Sequence, residues 1–224
     1  RMYSTRQEHI EEYRYWSGLS GAPVDYHPRF SDRLRFFFNY QLSHMYWRYF
    51  MWNFSGRQND RQGLADKADG NWLTGIPLID KQLAGDQRNL PGHLESKAYN
   101  RFYLLPLLLG LLGLFYHYHR DPEGWLVVAL VFFMTGIAIV IFLNQYSPQP
   151  RERDYSYVAS FYAFAIWIGI GVGQIFKWLR KILRPQRALL LAFLSSLVVP
   201  ALLLAENFDD HDRSGRYTVR QMAK

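Results

Sequence analysis

The chain has 224 residues, no cysteine, and 26 Lys plus Arg against 19 Asp plus Glu, a formal net charge of +7. Without thiols it cannot build disulfides, thiolate metal sites, iron–sulfur clusters or cysteine nucleophiles. Hydrophobic residues reach 49% and aromatics 17%, while charged residues stay at 20%, which argues against an ordinary soluble domain.

The mean hydropathy of −0.20 averages two unlike halves, a polar and aromatic stretch over 1–100 and long apolar runs over 101–205. In the first half, Ser31 is a suitable N-cap for a helix opening at Asp32, whose charge suits the first turn. Residues 31–54 then carry an aromatic run in which Leu34, Phe38, Leu42, Met45 and Tyr49 fall on one face at spacings of three and four. With Arg33, Arg35, Arg48 and Arg57 along its edges, this predicts an amphipathic helix in the membrane interface, aromatic side down, the alternative being a helix packed on the body of a periplasmic domain. From Arg57 to Pro91 the chain is rich in Gly, Asp, Asn and Gln. Trp72, Leu73, Ile76, Leu78 and Ile79 call for burial, so the segment reads as an ordered extracytoplasmic loop.

Four apolar runs follow, at 102–118, 125–146, 155–178 and 188–205. A helix needs about 20 apolar residues to cross a bilayer core, with about 17 as the lower limit. The middle two satisfy this easily; the outer two are short, and each contains a proline, Pro106 and Pro200. The expected architecture is therefore mainly α, a polytopic membrane protein with four transmembrane helices, an extracytoplasmic region over 1–100, and a further extracytoplasmic region opening at 206–224. Lys177, Arg180, Lys181, Arg184 and Arg187 lie between the last two runs, with no acid among residues 177–187. That marks a cytoplasmic loop, not a nucleic-acid face, and places both chain ends outside. The chain starts at Arg1 and no span precedes its long outer segment, so it is expected to be an internal piece of a larger multi-pass protein.

The loop from Gln149 to Tyr155 holds the clearest candidate chemistry. Arg151 and Arg153 offer guanidinium forks at the membrane face, suited to a phosphate or pyrophosphate, the alternative being a self-neutralised loop of surface ion pairs. Gln149, Glu152 and Asp154 would support them or act on a substrate hydroxyl, and Arg48 would assist from the aromatic helix. Asp210 and Asp212 are weak candidates for a divalent cation, because a calcium-loop pattern through Ser214 and Gly215 meets Gln221 where a glutamate is required. Gly169 and Gly173 have the spacing of close helix packing. Asn53-Phe54-Ser55 matches a glycosylation sequon, a short pattern.

Four strings are similar to a large bacterial family of multi-pass membrane proteins grouped with protein O-mannosyltransferases. They are Tyr46 to Asp60, Gly70-Asn71-Trp72 with Gly75-Ile76-Pro77, Gln149 to Tyr157, and Asp209 to Tyr217. The resemblance implies an inner-membrane glycosyltransferase that moves a sugar, mannose for example, from a polyprenyl-phosphate donor to an extracytoplasmic acceptor, expected to be a protein. In that class the catalytic acid lies in the first outer loop, upstream of this chain, so no catalytic residue is assigned. The competing expectations are a non-catalytic scaffold docking periplasmic partners and a lipid-linked sugar transporter. Gln174 is the main polar group inside the runs, which speaks against transport.

Overall fold

The computed structural model describes residues 6–23, 25–63, 66–87, 91, 95–147 and 149–211, the side chain of Asp210 excepted. The fold is mainly helical. After α1 (Gln7–Trp16), one continuous helix is built from α2 (Phe30–Phe36), a π-helical segment (Phe37–Trp47) and α3 (Arg48–Phe54). It starts one residue before the expected cap. Arg29 takes the cap position, and Asp32 accepts the Arg29 amide at 2.8 Å and the Tyr26 hydroxyl at 3.0 Å.

The π winding, with its i→i+5 bonds, breaks the predicted face. Met45 and Tyr49 are buried, but Leu34 and Phe38 are exposed. Tyr40, Tyr46, Phe50 and Phe54 join them in the main core, against Val140, Tyr157, Phe161, Phe164 and Trp167. Gln41 binds Asn144 and the Gln145 carbonyl, and Phe50 meets Phe132 edge-on at 6.0 Å. The aromatic helix thus descends from one end of the bundle toward its middle, packed inside protein, with Phe30, Phe38 and Trp47 facing outward.

The apolar second half forms α5 (Leu105–Arg120), α6 (Pro122–Thr135), α7 (Ile137–Leu143), α8 (Val158–Leu179) and α9 (Pro185–His211). A 3₁₀ turn, Asp154–Tyr157, leads into α8. Three stretches are long and apolar enough to cross a membrane: Pro122–Leu143, Asp154–Leu179 and Pro185–Asp209. They match the last three expected spans to within a few residues.

The expected first span does not reach that length. α5 has 16 residues, about 24 Å of helix against a hydrocarbon core of ~30 Å. It is cut short because Tyr103 and Leu104 are left-handed, with φ of 52° and 59°, and because Asp121 ends it while capping α6 through the Gly124 amide.

α5 runs parallel to α8, seated on glycines. A Cβ on Gly113 would run into the Trp167 carbonyl oxygen, and one on Gly171 into that of Leu109. Gly110 meets Phe164 in the same way. The expected pair Gly169 and Gly173 plays a smaller part: nothing lies within 4 Å of a Cβ on Gly169.

The described residues of the 57–91 loop gather around β1 (Gly56–Arg57), which pairs antiparallel with β2 (Asn100–Arg101), and α4 (Pro77–Ala84). Leu73 is fully buried as expected, whereas Leu78 is exposed. Buried Asp80 accepts the Thr74 and Gly75 amides and the Thr74 hydroxyl, which holds the turn before α4.

Candidate functional site

Arg48 and Glu152 come together at the end of the bundle where α6–α7 stops and α8 starts. Arg48 is buried on α3, its guanidinium 4.7 Å from the ring centres of both Tyr49 and Trp52. Its donors are engaged. Nε binds the His44 carbonyl at 2.9 Å, Nη1 the Gly70 carbonyl at 2.9 Å, and both terminal nitrogens grip Glu152, Nη2 at 2.7 Å and Nη1 at 3.2 Å. Glu152 also accepts the Tyr49 hydroxyl and the Gly63 amide. Glu152 therefore clamps Arg48 rather than steadying Arg151, and Arg48 is occupied by protein rather than presented to a ligand.

Electrostatics follows from this packing. Burial raises the Glu152 carboxyl, but the Arg48 hydrogen bonds and charge, with Tyr49 and Gly63, outweigh it and hold the group below the usual carboxylate range. Burial pushes the Tyr49 phenol up, so Tyr49 stays a donor. Burial and the adjacent Arg48 drive His44 down to about 3. Gly70 (φ +67°) lets the loop pass this close, since a Cβ there would meet Gly63 and Arg48 within 3 Å.

The other residues of the 149–155 loop separate. Gln149 is buried and pins the loop, donating to the Tyr146 carbonyl while its own carbonyl accepts from Gln62. Arg151 is exposed, lying 5.6 Å over the Tyr155 ring and lining a narrow gap beside Glu12 and Trp16. Arg153 is half-buried, and its backbone amide donates to the Tyr49 hydroxyl at 3.1 Å.

Asp154 points elsewhere, into a cleft of about 1010 Å³. One wall is apolar, from Pro200, Leu203, Leu204 and Phe208 of α9, with Trp52 and Phe102 opposite. Leu204 and Phe208 are 68% and 66% exposed, so this wall continues onto the apolar outer face of α9. The polar side is made by Asn53, Arg57 and Asn100, with Asn207 and His211 at the α9 end. Arg57 is placed by the β1–β2 pairing and lies 5.6 Å over the Trp52 ring. Two clasps close the end: the Asn100 and Asn207 amides meet at 2.7 Å, and Arg101 pairs with Glu206 at 3.5 Å.

Neither Arg151 nor Arg153 lines this cleft; the cation that does is Arg57, which the sequence marked only as an edge of the aromatic helix. Asn100 and Asn207 carried no local signal, because three separated segments contribute the polar side. Asn53 of the sequon lies in α3, donates to the Tyr49 carbonyl and is followed by a fully buried Ser55. Among the described residues no three His, Asp or Glu side chains are grouped to hold a metal, and Asp212 and the Asp210 side chain lie outside them. The arrangement offers an apolar trough ending in one cation, one carboxylate and several amides, a chemistry suited to a lipid with an anionic, sugar-bearing head. No family model, curated protein or solved structure matches this chain.

Proposed function

We propose that this chain is part of an inner-membrane glycosyltransferase that takes a sugar from a polyprenyl-phosphate carrier and passes it to an extracytoplasmic acceptor. The single observation that carries this reading is the cleft beside α9. It is open along an apolar wall and ends at Arg57, Asp154 and a group of amides. An isoprenoid chain would lie along Leu203, Leu204 and Phe208, with its phosphate at the Arg57 guanidinium. Charge building on the departing phosphate would be met there.

In this reading the Lys177 to Arg187 run faces the cytoplasm, and the cleft faces outward with residues 6–100. The Asn100–Asn207 and Arg101–Glu206 clasps support placing the long first segment and the end of α9 on one side. Returning the chain between those sides then falls to α5, a short helix seated on α8 through Gly110 and Gly113 with Leu108, Leu111 and Phe115 exposed.

The test is transfer by the complete protein in vesicles, using labelled polyprenyl-phosphate mannose and a Ser/Thr-rich peptide. Transfer that falls at least tenfold on Arg57→Ala supports the reading. Failure of the unaltered protein to bind or consume the donor refutes it.

A further inference from the structure

The turn that joins α8 to α9 carries an unbalanced charge. No Asp or Glu occurs between Asp154 and Glu206, yet Lys177, Arg180, Lys181, Arg184 and Arg187 crowd into residues 177–187. All five are exposed, and none pairs with a carboxylate of another described residue. Of the two acids at that end of the bundle, Asp121 accepts the Gly124 amide and lies 3.7 Å from His117, and Glu123 joins none of the five. The backbone is tightly wound: the Leu179 carbonyl accepts from both Ile182 and Leu183, and the Arg184 carbonyl accepts from Ala188 as α9 opens. Lys177 lies 5.6 Å over the Tyr116 ring and Arg180 5.8 Å over that of Phe176, contacts that orient a cation without neutralising it. Arg184 and Arg187 flank the start of α9, which has no acid in its first turn and whose free amides themselves favour an anion.

Apolar side chains are set among these cations. Ile182 is 84% exposed, Trp178 one turn earlier is half exposed, and Leu189 and Leu190 carry the apolar surface into α9. Such a mixture suits the boundary between headgroups and acyl chains, with apolar groups dipping inward and cations at phosphate level, better than it suits a soluble acidic partner. We propose that this turn binds an anionic phospholipid, its phosphate held by Arg180, Lys181 and Arg184 and its acyl chains laid against Trp178, Ile182, Leu189 and Leu190. In the orientation proposed above, the lipid belongs to the cytoplasmic leaflet. The site lies at the opposite end of α8 from the cleft and is independent of sugar transfer, requiring only that the three long apolar helices sit in a bilayer.

The experiment places a bimane label at Gln186→Cys of the complete protein, an exposed position in the first turn of α9. The labelled protein is reconstituted in phosphatidylcholine vesicles with rising fractions of brominated phosphatidylglycerol or brominated phosphatidylcholine, and quenching is followed. One cation beside an anionic lipid surface is worth about a fivefold gain in affinity, so brominated phosphatidylglycerol should half-quench at a fraction at least about fivefold lower than brominated phosphatidylcholine. Arg180→Gln with Arg184→Gln should bring the two lipids within about twofold, and Lys181→Gln alone should give an intermediate value. Arg33→Gln with Lys81→Gln, which removes as much charge from exposed positions elsewhere, should keep the full preference. Equal quenching by the two lipids overturns the proposal, as does a preference that the Arg180 and Arg184 variant retains. Displacement of the brominated phosphatidylglycerol by soluble polyglutamate overturns it as well, giving the turn to an acidic protein surface.

Discussion

Glu152→Gln is the most informative perturbation of the clamp, because it removes a charge while nearly preserving shape. The Glu152 side chain is 22% exposed and that of Arg48 only 6%. The substitution leaves a buried guanidinium with the His44 and Gly70 carbonyls but no counter-charge. Stripping one partner from a buried ion pair costs about 3–5 kcal/mol, and the partial exposure of Glu152 places it at the low end, about 3 kcal/mol. At ~2–4 °C per kcal/mol for a chain of this size, the unfolding temperature should fall by roughly 6–12 °C. The assay is thermal unfolding in detergent, followed by tryptophan fluorescence. Arg48→Met with Glu152→Met should be less destabilised than the two single changes summed, since neither charge is left alone. A Glu152→Gln protein melting within 2 °C of the parent, or strictly additive single changes, would refute the clamp.

The depressed Glu152 group also fixes the sign of a pH effect: its contribution is present above the ordinary carboxylate range and is lost as pH falls through the lower folded value, a component Glu152→Gln should lack. His44, driven down to about 3 from 6.5, refuses a proton that the unfolded chain accepts, so stability should decline as pH drops from 6.5 toward 3, and His44→Phe should flatten melting temperature against pH over that window. Gly113→Ala drives a methyl into the Trp167 carbonyl and should cost at least the 1–3 kcal/mol typical of overpacking, whereas Gly169→Ala meets open space and should be neutral or stabilising by up to ~1 kcal/mol; equal melting temperatures would contradict the packing described. In a chain with no native cysteine, Tyr155→Cys should react with an impermeant maleimide added outside and Ile182→Cys should not, both positions being exposed; the reverse pattern would invert the proposed orientation.

Apolar run length was enough to place Pro122–Leu143, Asp154–Leu179 and Pro185–Asp209, because a bilayer core demands it. The same logic overextended α5, whose limit comes from two left-handed residues that no hydropathy pattern records. The aromatic helix was legible as a helix, with interfacial and protein packing both open, but its buried face was not, because a face drawn at 3.6 residues per turn fails across eleven π-wound residues. Gln149 to Asp154 was recognisable as a chemically loaded loop. The division of labour inside it was not, because Glu152 finds Arg48 across 104 positions of chain. Arg57 was overlooked as a site residue for the same reason: what makes it part of a site is α9, nearly 150 residues downstream.

The clasps at Asn100–Asn207 and Arg101–Glu206 tie α9 to the rest of the molecule at its far end, and Pro200 interrupts the helix ladder just before them. With α8 packed on α9, those two contacts fasten the segment beyond Pro200 to β2 across 107 and 105 positions of chain, so the wall that α9 lends to the cleft is held from the other half of the sequence.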